Sequence, residues 1–257
     1  MKHGDFTGLA EDYTKYRPDY APSILRALTG LTGKPADKLD IADVGAGTGI
    51  WTRMMAGLNP QSIIAVEPND DMRQQGKAHP DNGATSWLKG SGEETTLPSG
   101  SKDLLTMASS FHWVDFDKGT DEFIRVLKPG GHFVALWNPR FIEANPLLVE
   151  IEDYAKKLKG ADIKRVSSGR SDFTETLLSR LETCGRFSEA TYLESKHIIK
   201  FTPERYMGAW RSVNDMRVQL GAEKFSAFLD WVEDKISSVE TIEATYLTRA
   251  WAARKPL

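Results

Sequence analysis

Short apolar runs alternating with helix-period stripes set the pattern of the first half of the chain. Residues 39–44, 62–66, 104–108 and 132–137 are largely apolar and of strand length. Runs this short, bounded by glycine or polar residues, predict strands buried on both faces. A weaker run at 87–89 predicts another. Between them lie helical segments at about 50–57, 70–77 and 117–127. In the last of these, Phe123, Ile124 and Leu127 share a face. Residues 21–33 predict a preceding helix, with Pro22 near its start and Gly30 near its end. Lys128-Pro129-Gly130-Gly131 is a strong breaker ahead of the 132–137 strand. Strand alternating with helix implies an α/β fold, a parallel sheet with helices on both faces.

Beyond about residue 140 the rhythm changes. Two or three helices occupy 146–184, and residues 190–201 alternate as a strand does. Thr202-Pro203-Glu204 opens a helix, with threonine as N-cap and proline at the first helical position. That helix is predicted to run to about 220 and stop at Gly221. Another follows over 223–237, and a final strand lies near 241–252. Residues 1–257 read as one domain, with the 140–220 stretch as a helical insertion.

Composition narrows the partners. The chain has 257 residues, 40% hydrophobic and 27% charged, with a net charge of -3 and a pI near 6.0. That balance argues against nucleic acid as partner. The lone cysteine, Cys184, rules out an intramolecular disulfide and fits a cytoplasmic location. No apolar run is long enough for a transmembrane helix, so no membrane partner is expected. Oligomeric state is not legible.

Candidate chemistry concentrates after the first strand, in Asp43-Val44-Gly45-Ala46-Gly47-Thr48-Gly49. Glycines between a strand and a helix let backbone turn tightly and approach a ligand. Glu67 ends the second strand roughly 20 residues later, the spacing of an acid that holds a ribose diol. Gly45 and Gly47 fit the dinucleotide pattern G-x-G-x-x-G, but its third position is Ile50. No basic side chain within the turn meets a pyrophosphate. Asp43, just before it, suits a cationic ligand better than a phosphate.

On these residues, with Val66-Glu67-Pro68, Leu97-Pro98, Ser110-Phe111-His112-Trp113 and Arg125-Val126-Leu127-Lys128-Pro129-Gly130-Gly131, the chain resembles the class I S-adenosylmethionine-dependent methyltransferases. The resemblance is to their small-molecule group, which includes trans-aconitate and ubiquinone/menaquinone-type enzymes. It implies a Rossmann-like, seven-stranded, mostly parallel sheet in the order 3-2-1-4-5-7-6, with strand 7 antiparallel. It also implies S-adenosylmethionine as cofactor and S-adenosylhomocysteine as product. Gly45, Ala46, Gly47 and Thr48 would pass under the methionine part, with Asp43 supporting its amino group. Glu67 would hold the ribose, and Pro68 and Asn69 would flank the adenine. Ser91, Gly92 and Glu93 occupy the adenine-reading stretch, with Ser91 where many relatives have aspartate. Ser109 and Ser110 would lie beneath the methionine part. Tyr13, Tyr16, Arg17, Pro18 and Tyr20 resemble the family's N-terminal segment, so residues 1–20 are expected to form a lid. Arg17 suits the methionine carboxylate, and Tyr16 the cofactor's cover.

The expected reaction is in-line methyl transfer to an oxygen or nitrogen of a small molecule, a carboxylate among the candidates. His112 is the candidate base or hydrogen-bond donor, or else a residue that only shapes the site. Phe111, Trp113, Trp137 and Asn138 fall on the acceptor side, with Arg140 just beyond. Trp210, Asn214 and Arg217 are spaced to share one face of the helix from Pro203. That face is either a clamp for a planar or anionic acceptor or a plain interhelical surface. The insertion at 140–220 would cover the substrate. An NAD-type oxidoreductase and a non-catalytic S-adenosylmethionine-binding protein are the alternatives. A base-methylating [DNS]-Pro-Pro-[YFW] motif is absent.

Overall fold

The computed structural model describes residues 14–164 and 172–257, apart from the Asn214 side chain. Seven strands form one sheet: β1 (Asp40–Val44), β2 (Ser62–Val66), β3 (Ser86–Leu88), β4 (Lys102–Ala108), β5 (Leu127–Trp137), β6 (Glu189–Phe201) and β7 (Ile242–Arg254). Their order is β3-β2-β1-β4-β5-β7-β6. The first five pair in parallel, and β7 runs antiparallel to both β5 and β6. The expected order and the expected reversal of strand 7 are both present.

The helices are α1 (Pro22–Leu31), α2 (Ile50–Ala56), α3 (Asp70–Ala78), α4 (Phe116–Val126), α5 (Pro146–Lys159), α6 (Asp172–Thr183), α7 (Pro203–Arg211) and α8 (Asn214–Ile236). Neighbouring strand residues point to opposite faces, so each central strand feeds two cores. Ile41, Leu104 and Val134 pack beneath α1 and α2 with Leu28, Trp51 and Met55. Ala42, Leu105 and Phe133 pack on the other face with Phe123 of α4 and Leu177 of α6. This two-sided burial is why the strands read as continuous apolar runs rather than as alternation. β6 is the sheet's edge, and its mostly exposed, alternating pattern follows from that position. A third core joins α5, α7, α8 and the near ends of β6 and β7, through Leu148, Ile151, Phe201, Trp210, Phe228 and Tyr246.

Two expectations need correction. The breaker at 128–131 does not precede the strand. β5 begins at Leu127, and the break survives as an irregular register opposite Lys102 and Leu104, with Gly130 at φ +74. The helix from Pro203 does not reach 220. It ends at Arg211, and Val213 is extended at φ -85, ψ 93 before α8 begins. Trp210 therefore lies on a different helix from Asn214 and Arg217, and their common face does not form. Gly221, at φ 75 and ψ 168, does interrupt α8 as its position suggests.

Candidate active site

The strand order reverses between β1 and β4, and their carboxyl ends open a crevice there. The first loop is shaped by its glycines. Gly45, Gly47 and Gly49 have φ of +65, +59 and +82, a region that side chains with a Cβ avoid. A Cβ on Gly45 would also lie 2.6 Å from Ser110 Oγ. The Gly45 and Ala46 amides donate to the Val66 carbonyl at 2.8 and 3.1 Å, which turns the loop towards β2.

Glu67 emerges from β2 into this loop. Its carboxylate accepts from the Gly47 amide at 2.7 Å and from the Asn69 amide at 2.9 Å. Burial raises its pKa, and the two amides and Arg73 oppose that rise. Asn69 also caps α3 by accepting from the Met72 amide at 3.0 Å, so one short segment fixes both groups. Asp43 is fully buried beneath the loop and accepts from Thr52 Oγ1 at 2.5 Å and Thr106 Oγ1 at 3.0 Å. Desolvation pushes its pKa up to about 7 against those two hydroxyls. Asp43 thus ties β1, α2 and β4 together and does not itself reach the cavity wall.

The crevice is one continuous cavity of about 630 Å³, within the usual range for small-molecule sites. The wall expected to face the cofactor contains Arg17, Gly45, Ala46, Gly47, Thr48, Glu67, Pro68, Asn69, Ser91, Gly92, Glu93, Ser109 and Ser110. Ser91 forms a tight turn, its amide donating to the Glu94 carbonyl at 2.9 Å and its Oγ accepting from the Glu94 amide at 3.2 Å. The Glu93 carboxylate accepts from the Asp115 amide at 3.0 Å, which commits one of its oxygens to the start of α4. Thr48 Oγ1 and Trp51 Nε1 are buried on residues of this wall and have no hydrogen-bond partner among the described residues.

The roof comes from the N-terminal segment and α7. Arg17 donates from Nε to Ser212 Oγ at 2.8 Å and from Nη2 to the Ser212 carbonyl at 3.0 Å. Tyr20 and Ser109 share a hydroxyl hydrogen bond of 2.9 Å, and Asn138 Nδ2 donates to the Asp19 carbonyl at 2.9 Å. Tyr16 packs against Gly208 on α7 rather than over the cavity. Tyr13 lies outside the described residues.

On the acceptor side, Trp113, Asn138 and Trp210 line the cavity. Phe111 does not: it is fully buried among Phe116, Phe123, Phe133 and Phe173. Trp137 is buried in the same core. Arg217 is also off the wall, with its guanidinium over the Phe225 ring and Nη2 donating to the Arg211 carbonyl at 3.4 Å. The helix break at 212–213 is what turns it away. The Asn214 side chain lies outside the described structure.

His112 does not fit the role of a base. Its Nδ1 accepts from Trp137 Nε1 at 3.2 Å, which leaves the proton on Nε2. Desolvation lowers its pKa to about 4, against a weaker opposing pull from Asp215. The ring is off the cavity wall and packs against Trp113 at an interplanar angle of 46°, with centroids 4.5 Å apart.

Several wall residues were not anticipated: Trp51, Glu152, Tyr206, Asp215 and Tyr246. Glu152 carried a signal. It sits between Leu148 and Ala155 in the buried stripe of α5, where a carboxylate needs a partner. That partner is Arg140, whose Nη2 lies 2.9 Å from Glu152 Oε1. Among the described residues no helix is long and apolar enough to cross a membrane, and no cluster of metal-ligating side chains forms.

Comparison with known proteins agrees with this geometry. Residues 42–135 match a family model described as a methyltransferase domain. The chain is 27% identical over 252 residues to an uncharacterized methyltransferase of Schizosaccharomyces pombe, covering 95% of this chain and 94% of that one. An uncharacterized methyltransferase of Mycobacterium tuberculosis is 35% identical over 130 residues, 50% of this chain and 49% of the other. A solved structure described as a type II methyltransferase from Anaeromyxobacter dehalogenans superposes with a TM-score of 0.68 at 22% identity, covering 94% of this chain and 100% of that one. Residues 42–135 thus match a methyltransferase domain, the whole chain shares the fold of a solved methyltransferase, and together these findings support a class I S-adenosylmethionine-dependent methyltransferase.

Proposed function

We propose that the protein methylates an oxygen or nitrogen of a small molecule, a carboxylate among the candidate acceptors, and that it does so by alignment rather than by general-base catalysis. The observation that carries this reading is the single cavity, with a cofactor cradle on one side and an aromatic, polar-tipped chamber on the other. The cradle suits S-adenosylmethionine. Each Glu67 oxygen accepts one backbone amide and keeps capacity for a ribose hydroxyl. The buried Thr48 hydroxyl and Trp51 indole N–H, together with Arg17, are donors suited to the methionine carboxylate. Pro68, Asn69, Met72, Ser91 and Gly92 form the adenine end.

When bound, S-adenosylmethionine supplies a methyl group on a cationic sulfur, an electrophile that needs no further activation. This chain's residues then hold the nucleophile in line and exclude water. Alignment of this kind contributes roughly 7–11 kcal/mol in favourable cases. Trp113, backed by His112, borders the chamber where the acceptor would lie. Residues 14–20 close the roof through Arg17 and Tyr20 and serve as the described part of a lid. A net charge of -3 disfavours a nucleic-acid acceptor. The test is incubation with radiolabelled S-adenosylmethionine and pools of small metabolites, with products identified by mass spectrometry. Label in a small-molecule product supports the reading. Label only in nucleic acid or protein added in parallel contradicts it.

A further inference from the structure

The chamber ends in a charged pole. Arg140 follows β5, one strand beyond the β4 end that carries Ser109, and bridges to Tyr246 on β7, two strands beyond it. Neighbouring strands lie about 5 Å apart, so this pole is displaced from the Ser109 end of the cradle by about 5–10 Å across the sheet. The Arg140 guanidinium lies over the Trp210 ring at 4.2 Å and pairs with Glu152 at 2.9 Å. Tyr206 lies beside them, and its buried hydroxyl has no hydrogen-bond partner among the described residues. Burial works against that charge, and the Glu152 carboxylate offsets it, so the guanidinium stays ionised. All of these residues line the cavity.

Charge balance decides what fits. A substrate carboxylate brought to Arg140 would also meet Glu152, with Asp215 a second buried carboxylate on the same wall. Arg17, the other guanidinium of the cavity, is directed at Ser212. A substrate cation would meet Arg140. In a low-dielectric chamber either like-charge contact is costly. A neutral group that donates to Glu152 and accepts from Arg140 or Tyr206 meets neither penalty, and the flanking rings favour a planar one.

We propose that Arg140, Glu152 and Tyr206 form a specificity pole that docks the end of the acceptor remote from the methylated atom. That end is an uncharged planar group which both donates and accepts hydrogen bonds, as a primary amide does. The inference rests on the small-molecule reading above and narrows it.

The test is calorimetric titration of the full chain, saturated with S-adenosylhomocysteine, using benzamide, benzoate and benzamidine as probes of one shape and different charge. Benzamide is expected to bind about tenfold more tightly than either of the others. Benzoate or benzamidine binding as tightly as benzamide overturns the proposal, and so does binding of none of them. The preceding titration with S-adenosylhomocysteine separates the two failures. Absence of that binding sinks the functional reading and this inference together, whereas its presence without discrimination among the probes sinks only the pole. Glu152→Gln should shift the preference towards benzoate by about tenfold. Because that variant leaves a buried guanidinium without its counter-charge, Tyr206→Phe provides a milder check. It removes one hydroxyl and should weaken benzamide roughly fivefold with S-adenosylhomocysteine affinity unchanged. Benzamide affinity unchanged in Tyr206→Phe removes Tyr206 from the pole and overturns its three-residue form.

Discussion

The two halves of the cavity are built in opposite ways. The cofactor half is local: the loop of Gly45–Gly49, Glu67 and the Ser91–Glu94 turn each follow directly from one strand, and much of what they present is backbone. The acceptor half is assembled from long side chains far apart in sequence. Arg140 follows β5, Glu152 comes from α5, Tyr206 from α7 and Tyr246 from β7. A backbone-built site tolerates few substitutions, because its shape is set by positive φ angles and close approach. A side-chain-built site can change its ligand by exchanging one residue while the fold stands.

The largest effect should therefore come from the backbone half. Gly45→Val combines a positive φ with a Cβ that would collide with Ser110. It should lower S-adenosylhomocysteine affinity by about a hundredfold or more, equivalent to roughly 3 kcal/mol. Affinity within a few-fold of wild type, measured by calorimetry, would break the contrast between the halves.

Next in size is a stability effect at Asp43. Folded, its carboxyl holds its proton up to about pH 7, against an ordinary value of 3.8. Between those values the folded state binds more protons than the unfolded one, so the group's contribution falls as pH rises through that window. Asp43→Asn removes this dependence. Relative to wild type, the variant should gain on the order of 2–3 kcal/mol between pH 5 and pH 8 in denaturant unfolding. A difference independent of pH would show that Asp43 is ionised throughout.

A smaller effect is expected at His112. With its pKa lowered to about 4 by burial and Nδ1 bonded to Trp137, it should contribute no ionisation to kcat between pH 5 and 8. His112→Gln should reduce kcat roughly tenfold or less, through loss of the support behind Trp113. A wild-type acid limb near pH 6.5 that disappears in the variant would restore the base role. Smallest of all, Arg217→Ala should change KM for any acceptor by less than about twofold, since the side chain is off the cavity wall. A strong rise in KM would return Arg217 to the site.

The same contrast governs what was legible in the sequence. The strand–turn–helix units and the glycine turn could be read because they are short-range patterns, while the sheet order and its antiparallel strand came from the family resemblance that those patterns carry. Glu67 stands where its distance from Gly45 placed it. The acceptor side was legible only in part: Trp113, Asn138 and Trp210 line the cavity, but the other residues there meet only through tertiary packing. The error over Trp210, Asn214 and Arg217 shows why. Their spacing assumed one continuous helix, whereas Ser212 and Val213 break it, and no glycine or proline marks the break. Phe111 and Trp137 were misplaced for a related reason, since an aromatic at a strand end serves the core as readily as a ligand. Glu152 was the readable exception, a charge within an apolar stripe.

The central claim is that the crevice at the carboxyl ends of β1 and β4 binds S-adenosylmethionine through Glu67. Calorimetric titration of S-adenosylmethionine into the wild-type chain and into Glu67→Ala tests it most directly. The account predicts one-to-one binding to the wild type. In the variant, which should retain its circular dichroism and melting transition, affinity should fall by well over tenfold, the loss of charge-assisted hydrogen bonds worth about 1.5–3 kcal/mol. Equal affinity in the two proteins, or no binding to the wild type, would contradict it.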